Sequence, residues 1–214
     1  MEIDLKKIKI RIASFFGQSY NKIVDGLTLK EIISYTTRGM REGETNGVEH
    51  WFVSNSEADE ILTNESLLAY TEIGENRYFA TKERTEDCNL YIIDPNGIKN
   101  LEKNSNREKR VIYITAPLYE REQRCSGRSD YNVAFKLRCE KEDEQFNEFE
   151  DKRRYDYIIS NGTGCSVEYS IAYVLIYMIQ EWRKNKDILF CIVGRTGAGK
   201  DTFITTLKNL LNKK

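Results

Sequence analysis

Residues 187–211 constrain this chain more than any other stretch. They read DILFCIVGRTGAGKDTFITTLKNLL: an apolar run, a glycine-rich turn, then a helical pattern with Phe203, Leu207, Leu210 and Leu211 on one face. Gly194, Gly199 and Lys200 meet the spacing G-x-x-x-x-G-K. That spacing describes a phosphate loop. Glycines let successive backbone N–H groups curl round phosphate oxygens at a helix N-terminus, and the lysine reaches the β- and γ-phosphates. Gly194, Arg195, Thr196, Gly197, Ala198, Gly199, Lys200, Asp201 and Thr202 are therefore the candidate triphosphate site. Two features are unusual. A phosphate loop normally opens its domain, and this one stands at the C-terminal end of the sequence. Asp201 also occupies the position of a magnesium-binding Ser or Thr. Its carboxylate would repel a triphosphate unless magnesium lies between them, or unless it turns away to cap the helix.

Composition bounds the rest. At 214 residues the chain suits one α/β domain with small inserted subdomains. A formal net charge of −1 gives no reason to invoke nucleic acid or an anionic membrane as partner. Five cysteines without a C-x-x-C pair, together with a single histidine, argue against a zinc site or a disulfide framework and suit a reducing cytosol. The N-terminal residues lack the apolar core of a signal peptide, and the longest apolar stretch, residues 171–179, is too short to span a bilayer. The expectation is a soluble cytoplasmic protein, monomer or homodimer.

Along the chain, Leu5, Ile8, Ile12 and Phe15 form a helical stripe, while Ile8, Ile10 and Ile12 alternate as in a strand; helix is the preferred reading. A short strand is predicted to end at Ser34, a second to run from Glu49 to Val53, and between them Arg38 and Arg41 sit in a turn-prone segment. Guanidinium groups grip phosphate through a bidentate fork, so the pair reads as an oxyanion clamp; two solvated surface arginines are the plain alternative. Strands are predicted at 89–94, 110–118 and 154–161, and helices at 57–64 and 166–183. Asp94, at the end of a core strand, is placed where an open α/β sheet builds its site, or else caps a loop. The charged stretch after Leu118 reads as helical, and on composition alone as a solvated face.

The run from Ser34 to Ser54, SYTTRGMREGETNGVEHWFVS, resembles the signature of guanylate kinases, S-x-T-T-R-x-x-R-x-G-E-x-x-G-x-x-Y-x-F-V. The resemblance implies that Ser34, Arg38 and Arg41, with Glu44 in the same run, hold an acceptor phosphate; His50 stands where the family has tyrosine. Asn76 and Tyr78 match a second motif, whereas the family's base-reading glutamate and hydroxyl fall on Ala69 and Ala80, with Glu72 and Thr81 nearby. Asp94 matches the second aspartate of the family's I-L-D-I-D, the first being replaced by Ile92. Arg124, Arg128 and Arg138 follow the order of the family's lid arginines.

What the resemblance implies is an α/β fold: a doubly wound parallel sheet with an inserted nucleotide-binding β subdomain (34–83) and a helical lid (120–150), the core being 1–33, 84–119 and 151–214. The implied reaction is phosphoryl transfer from Mg·ATP to a nucleoside monophosphate, GMP or dGMP by default. Lys200, the loop amides and Arg124 would hold ATP, and Arg128 and Arg138 would cover the transferring group. Arg38, Arg41, Ser34, Glu44, His50, Tyr78 and Asp94 would hold the acceptor. Asp201, Thr202 and Asp94 are the candidate magnesium residues. Because the family order begins with the phosphate loop, the simplest reconciliation is a circular permutation, with the old ends joined at Lys184–Lys186. Three rivals stand beside this reading. Ala69, Ala80 and Asp201 suit a kinase for another nucleotide or a sugar phosphate such as ribose bisphosphate, since G-K-D-[S/T] also resembles loops of phage deoxynucleotide kinases and ribose bisphosphate phosphokinases. A non-catalytic guanylate-kinase-like binding module is opposed by the intact Lys200. A loop that begins a separate domain is the third.

Overall fold

A strand covered on both faces needs apolar side chains at every position, and LFCIV is such a strand. The computed structural model describes residues 3–127 and 135–211. Its strands are β1 (Glu31–Ile32), β2 (Tyr35–Thr36), β3 (Trp51–Phe52), β4 (Leu67–Ile73), β5 (Asn76–Thr81), β6 (Leu90–Ile92), β7 (Lys109–Thr115), β8 (Tyr157–Ser160) and β9 (Leu189–Val193). Its helices are α1 (Leu5–Phe16), α2 (Tyr20–Ile23), α3 (Asn55–Asn64), α4 (Pro95–Asn104), α5 (Leu118–Cys125), α6 (Lys136–Asp151), α7 (Val167–Lys184) and α8 (Lys200–Leu211). A five-stranded sheet runs β1-β6-β9-β7-β8 with every neighbouring pair parallel. The last strand of the sequence is thus the central strand of the sheet.

Helices cover both faces. On one, Phe190 and Ile192 of β9 join Ile8 and Ile12 of α1, Leu175 and Met178 of α7, and Phe203 and Leu207 of α8. On the other, Leu189, Cys191 and Val193 meet Ile98 and Leu101 of α4 and Phe146 and Phe149 of α6. This is the doubly wound parallel sheet that was expected. At the N-terminus the helical stripe prevails over the strand alternation. Asp4 accepts N–H bonds from Lys6 and Lys7 as N-cap, and Gly17, at φ 62°, ends α1 in the left-handed region.

A second sheet, β3-β2-β5-β4, is antiparallel except for the β2–β3 pair and packs its own small cluster of Tyr35, Ala58 and Phe79. The strand expected over Glu49–Val53 shortens to two residues because Asn46 and His50 are tied in an isolated bridge before it. Beyond Phe52, Ser54 and Glu57 form a reciprocal capping box that starts α3. No described helix is long and apolar enough to cross a membrane.

Candidate active site

The phosphate loop leaves β9 at the C-terminal edge of the sheet and runs directly into α8. Gly194 passes so close to β7 that a Cβ there would lie 2.5 Å from the Ile114 carbonyl oxygen. Gly199 combines φ 104° with a hypothetical Cβ only 2.4 Å from the Asn161 side chain. Neither position admits a larger residue without moving the backbone.

The loop is held from three elements. Asn161, just after β8, donates to the Ala198 carbonyl at 2.8 Å. Arg124 of α5 donates to Gly197 at 3.2 Å and to the Asn161 carbonyl at 2.7 Å, and pairs with Glu120. From α6, Glu142 accepts the Thr196 N–H at 2.9 Å, while Glu150 and Asp143 pair with Arg195. Lys200 Nζ donates back to the Gly194 carbonyl at 2.6 Å, the folded-over position from which it can swing to a phosphate. Asp201 and Thr202 are exposed on the first turn of α8.

The arginine clamp is pre-set. The Arg38 guanidinium forks onto both oxygens of Glu44 at 2.9 Å each, hydrogen-bonds Tyr78, and lies 5.2 Å from the centroid of Phe52. Glu44 also accepts the Arg41 N–H at 2.7 Å. Its burial raises the carboxyl pKa, but the Arg38 and Arg41 contacts outweigh that and hold it down at about 2. Glu44 is thus the residue that aims the arginines. His50 packs edge-on to Phe52 and Tyr78, and Ser34 donates to the Tyr91 hydroxyl at 3.4 Å.

Asp94 takes the capping role considered for it and adds a second contact. As N-cap of α4 its Oδ1 accepts the Gly97 N–H at 2.7 Å, while Oδ2 accepts from Thr71 Oγ1 at 2.8 Å. Burial raises its pKa, opposed by those bonds, by Gln145 and by the charge of Lys200. The Asp201 carboxylate likewise acts on His50. Lys200 thus lies within electrostatic reach of Asp94, and Asp201 of His50. Arg128 lies outside the described residues, as does the side chain of Arg138.

The comparisons with known proteins now decide the family. A family model described as guanylate kinase matches residues 24–172, well over half of the chain. The chain belongs to the guanylate kinase family. A guanylate kinase of Rickettsia felis is 30% identical over 174 residues, covering 75% of this chain and 88% of that protein. One of Mesoplasma florum is 29% identical over 164 residues, covering 72% of this chain; there the chain spans about half of the relative's length. A crystal structure of guanylate kinase from Anaplasma phagocytophilum aligns at a TM-score of 0.46 with 18% identity, over 84% of this chain and 82% of that one, a weak likeness that adds nothing to the family match.

Within this guanylate kinase fold, several contributors escaped the sequence reading. Asn161 was read only as the end of a strand, and Glu142 only as part of a charge run. Thr71 carried no signal of its own. Pairing of β4 with β5 puts Thr71 opposite Tyr78, on the side of Asp94, whereas Glu72 is exposed and bonds Tyr70. Ala69 and Ala80 face each other across the ladder and are buried in the core cluster with Tyr91 and Ile98. No local signal marked which β4 side chain faces Asp94, 23 residues from Thr71.

Proposed function

We propose that this chain transfers the γ-phosphoryl group of ATP to a nucleoside monophosphate, with GMP or dGMP as acceptor. The observation that carries the reading is the joint presence of an intact phosphate loop and a pre-set arginine clamp, with Lys200 close enough to Asp94, and Asp201 to His50, for their charges to interact. The acceptor is already an anionic oxygen, so the chemistry needs positioning and charge neutralisation and no strong base. Lys200 and the loop N–H groups hold the β- and γ-phosphates. Arg38 and Arg41, aimed by Glu44, hold the acceptor phosphate with Ser34, His50 and Tyr78. Arg124 fixes the loop, and Arg128 and Arg138 of a lid spanning 120–150 close over the transferring group.

Magnesium fits the first turn of α8, where the exposed Asp201 and Thr202 offer hard oxygen ligands beside the phosphates. Asp94 is the poorer ligand, because both of its oxygens already accept hydrogen bonds. When bound, the ion neutralises negative charge on the β- and γ-phosphates.

The reading also includes a circular permutation. Two observations support it: the family match ends at residue 172, before the phosphate loop, and the C-terminal strand β9 lies between β6 and β7 in the middle of the sheet. The domain division given above follows from the same reading.

Ala69 and Ala80 favour a second reading, in which another nucleotide or a sugar phosphate is the acceptor, because neither can hydrogen-bond a base. ADP release measured against GMP, dGMP, AMP, CMP, UMP and ribose bisphosphate separates the two. Turnover with GMP or dGMP at least tenfold above the others is expected. Turnover confined to another acceptor would establish the second reading, and none at all would remove the kinase.

A further inference from the structure

Beside the acceptor clamp lies one polar atom that its surroundings leave unsatisfied. His50 Nδ1 is buried and has no hydrogen-bond partner. Its neighbours are otherwise engaged: Arg38 with Glu44 and Tyr78, and Ser34 with Tyr91. The imidazole hydrogen-bonds the Ser34 backbone, packs edge-on to the rings of Phe52 and Tyr78, and feels the Arg38 charge. A buried, unpaired nitrogen is rare enough to call for an explanation, and a functional role at a binding site is one.

We propose that His50 joins the acceptor site as an imidazolium, its Nδ1–H donating to the acceptor phosphate, so that binding of the nucleoside monophosphate takes up one proton. The inference rests on the proposed acceptor site. In the free protein, burial lowers the imidazole pKa and the Arg38 charge lowers it further, opposed by the Ser34 backbone, Glu44 and Asp201. A phosphate dianion placed on the clamp reverses the balance. It offsets Arg38, gives Nδ1 an acceptor, and favours the charged ring. Atoms balance simply: one proton leaves solvent for Nδ1, and no covalent bond in the nucleotide changes.

The sign is distinctive. A group whose pKa is higher in the complex gives affinity that is fully present below its free pKa and declines as pH rises toward its bound pKa. The nucleotide's own second ionisation, near pH 6, acts the other way, because the clamp prefers the dianion.

His50 is the only histidine in the sequence, so the imidazole resonance of the untagged chain can be followed by NMR without assignment. It should titrate below the ordinary histidine value when free and at a clearly higher pH with saturating GMP or dGMP. Between the free and the bound midpoint the affinity for GMP should fall as pH rises, by up to about tenfold per pH unit, the limit for uptake of one proton. His50→Gln should bind GMP with that dependence abolished. A bound midpoint equal to or below the free one, while backbone resonances report GMP binding, overturns this inference and leaves the acceptor site standing. Absence of binding by any nucleoside monophosphate removes both. A pH slope that survives in His50→Gln assigns the proton elsewhere and overturns it as well.

Discussion

In the proposed reading the donor loop and the acceptor clamp each hold a phosphate, and the two are built in opposite ways. The loop has little structure of its own: Asn161, Arg124 and Glu142 reach it from β8, α5 and α6, at sequence separations of 37 to 73 residues. The clamp is nearly self-contained. Arg38, Arg41 and Glu44 are bonded to each other within seven residues, and Phe52 and Tyr78 close around them. A site anchored at long range depends on the whole fold, whereas a locally wired one keeps its geometry on a small subdomain. Mutations should therefore separate along this line.

Lys200→Ala should have the largest effect, lowering kcat by about 10²–10³ because it removes a preorganised charge from the transferring group; steady-state ADP release checks it, with far-UV circular dichroism expected to be unchanged. Arg38→Ala should lower kcat/KM for the acceptor by roughly 10²-fold while leaving the KM for ATP within about twofold. It strips a bidentate donor and exposes the Glu44 carboxylate to the incoming phosphate. Arg38→Lys should recover little of this, since an ammonium cannot fork. Asn161→Ala should act mainly on the donor side, raising the KM for ATP by about fivefold through loss of one loop-closing hydrogen bond of about 1 kcal/mol. An equal rise in both KM values would erase the distinction between the two regions.

Glu44 carries a pH signature. Its folded pKa, about 2, lies below the usual 4.5. Its stabilisation is therefore fully present above pH 4.5 and lost as pH falls toward 2. Glu44→Gln should lower stability by about 1–3 kcal/mol at pH 7, and the Tm difference from the parent should shrink as pH falls from 5 to 3. The smallest effect is expected from rewiring. Placing residues 187–214 ahead of residue 1, with a short linker and a new end after Lys186, should leave Tm within a few degrees and kcat within about threefold, because no strand changes its neighbours.

The sequence made the periodic and the locally wired parts legible. LFCIV announced a doubly covered strand and the glycine spacing a tight turn into a helix, while the T-T-R-x-x-R-x-G-E run sets the Arg38–Glu44 fork; each is set by residues a few positions apart. Side-chain partners across the fold were not legible. Nothing near Asn161 says that it closes the loop around Gly199, and the acidic composition of residues 140–150 does not distinguish Glu142, bonded to Thr196, from a solvated face. Facing in β4 was equally hidden. The irregular register between Leu67 and Ala69 resets the alternation, so Thr71, and not Glu72, meets Asp94.

The central claim is that the C-terminal loop and the N-terminal clamp serve one site in one chain. Adenosine and guanosine joined through five phosphates would span both halves, and calorimetry with this compound tests the claim most directly. One molecule should bind per chain, at least about 100-fold more tightly than ATP or GMP alone, with affinity reduced tenfold or more by Lys200→Ala and by Arg38→Ala alike. Binding no tighter than ATP, and indifferent to Arg38→Ala, would show that the loop and the clamp are separate sites.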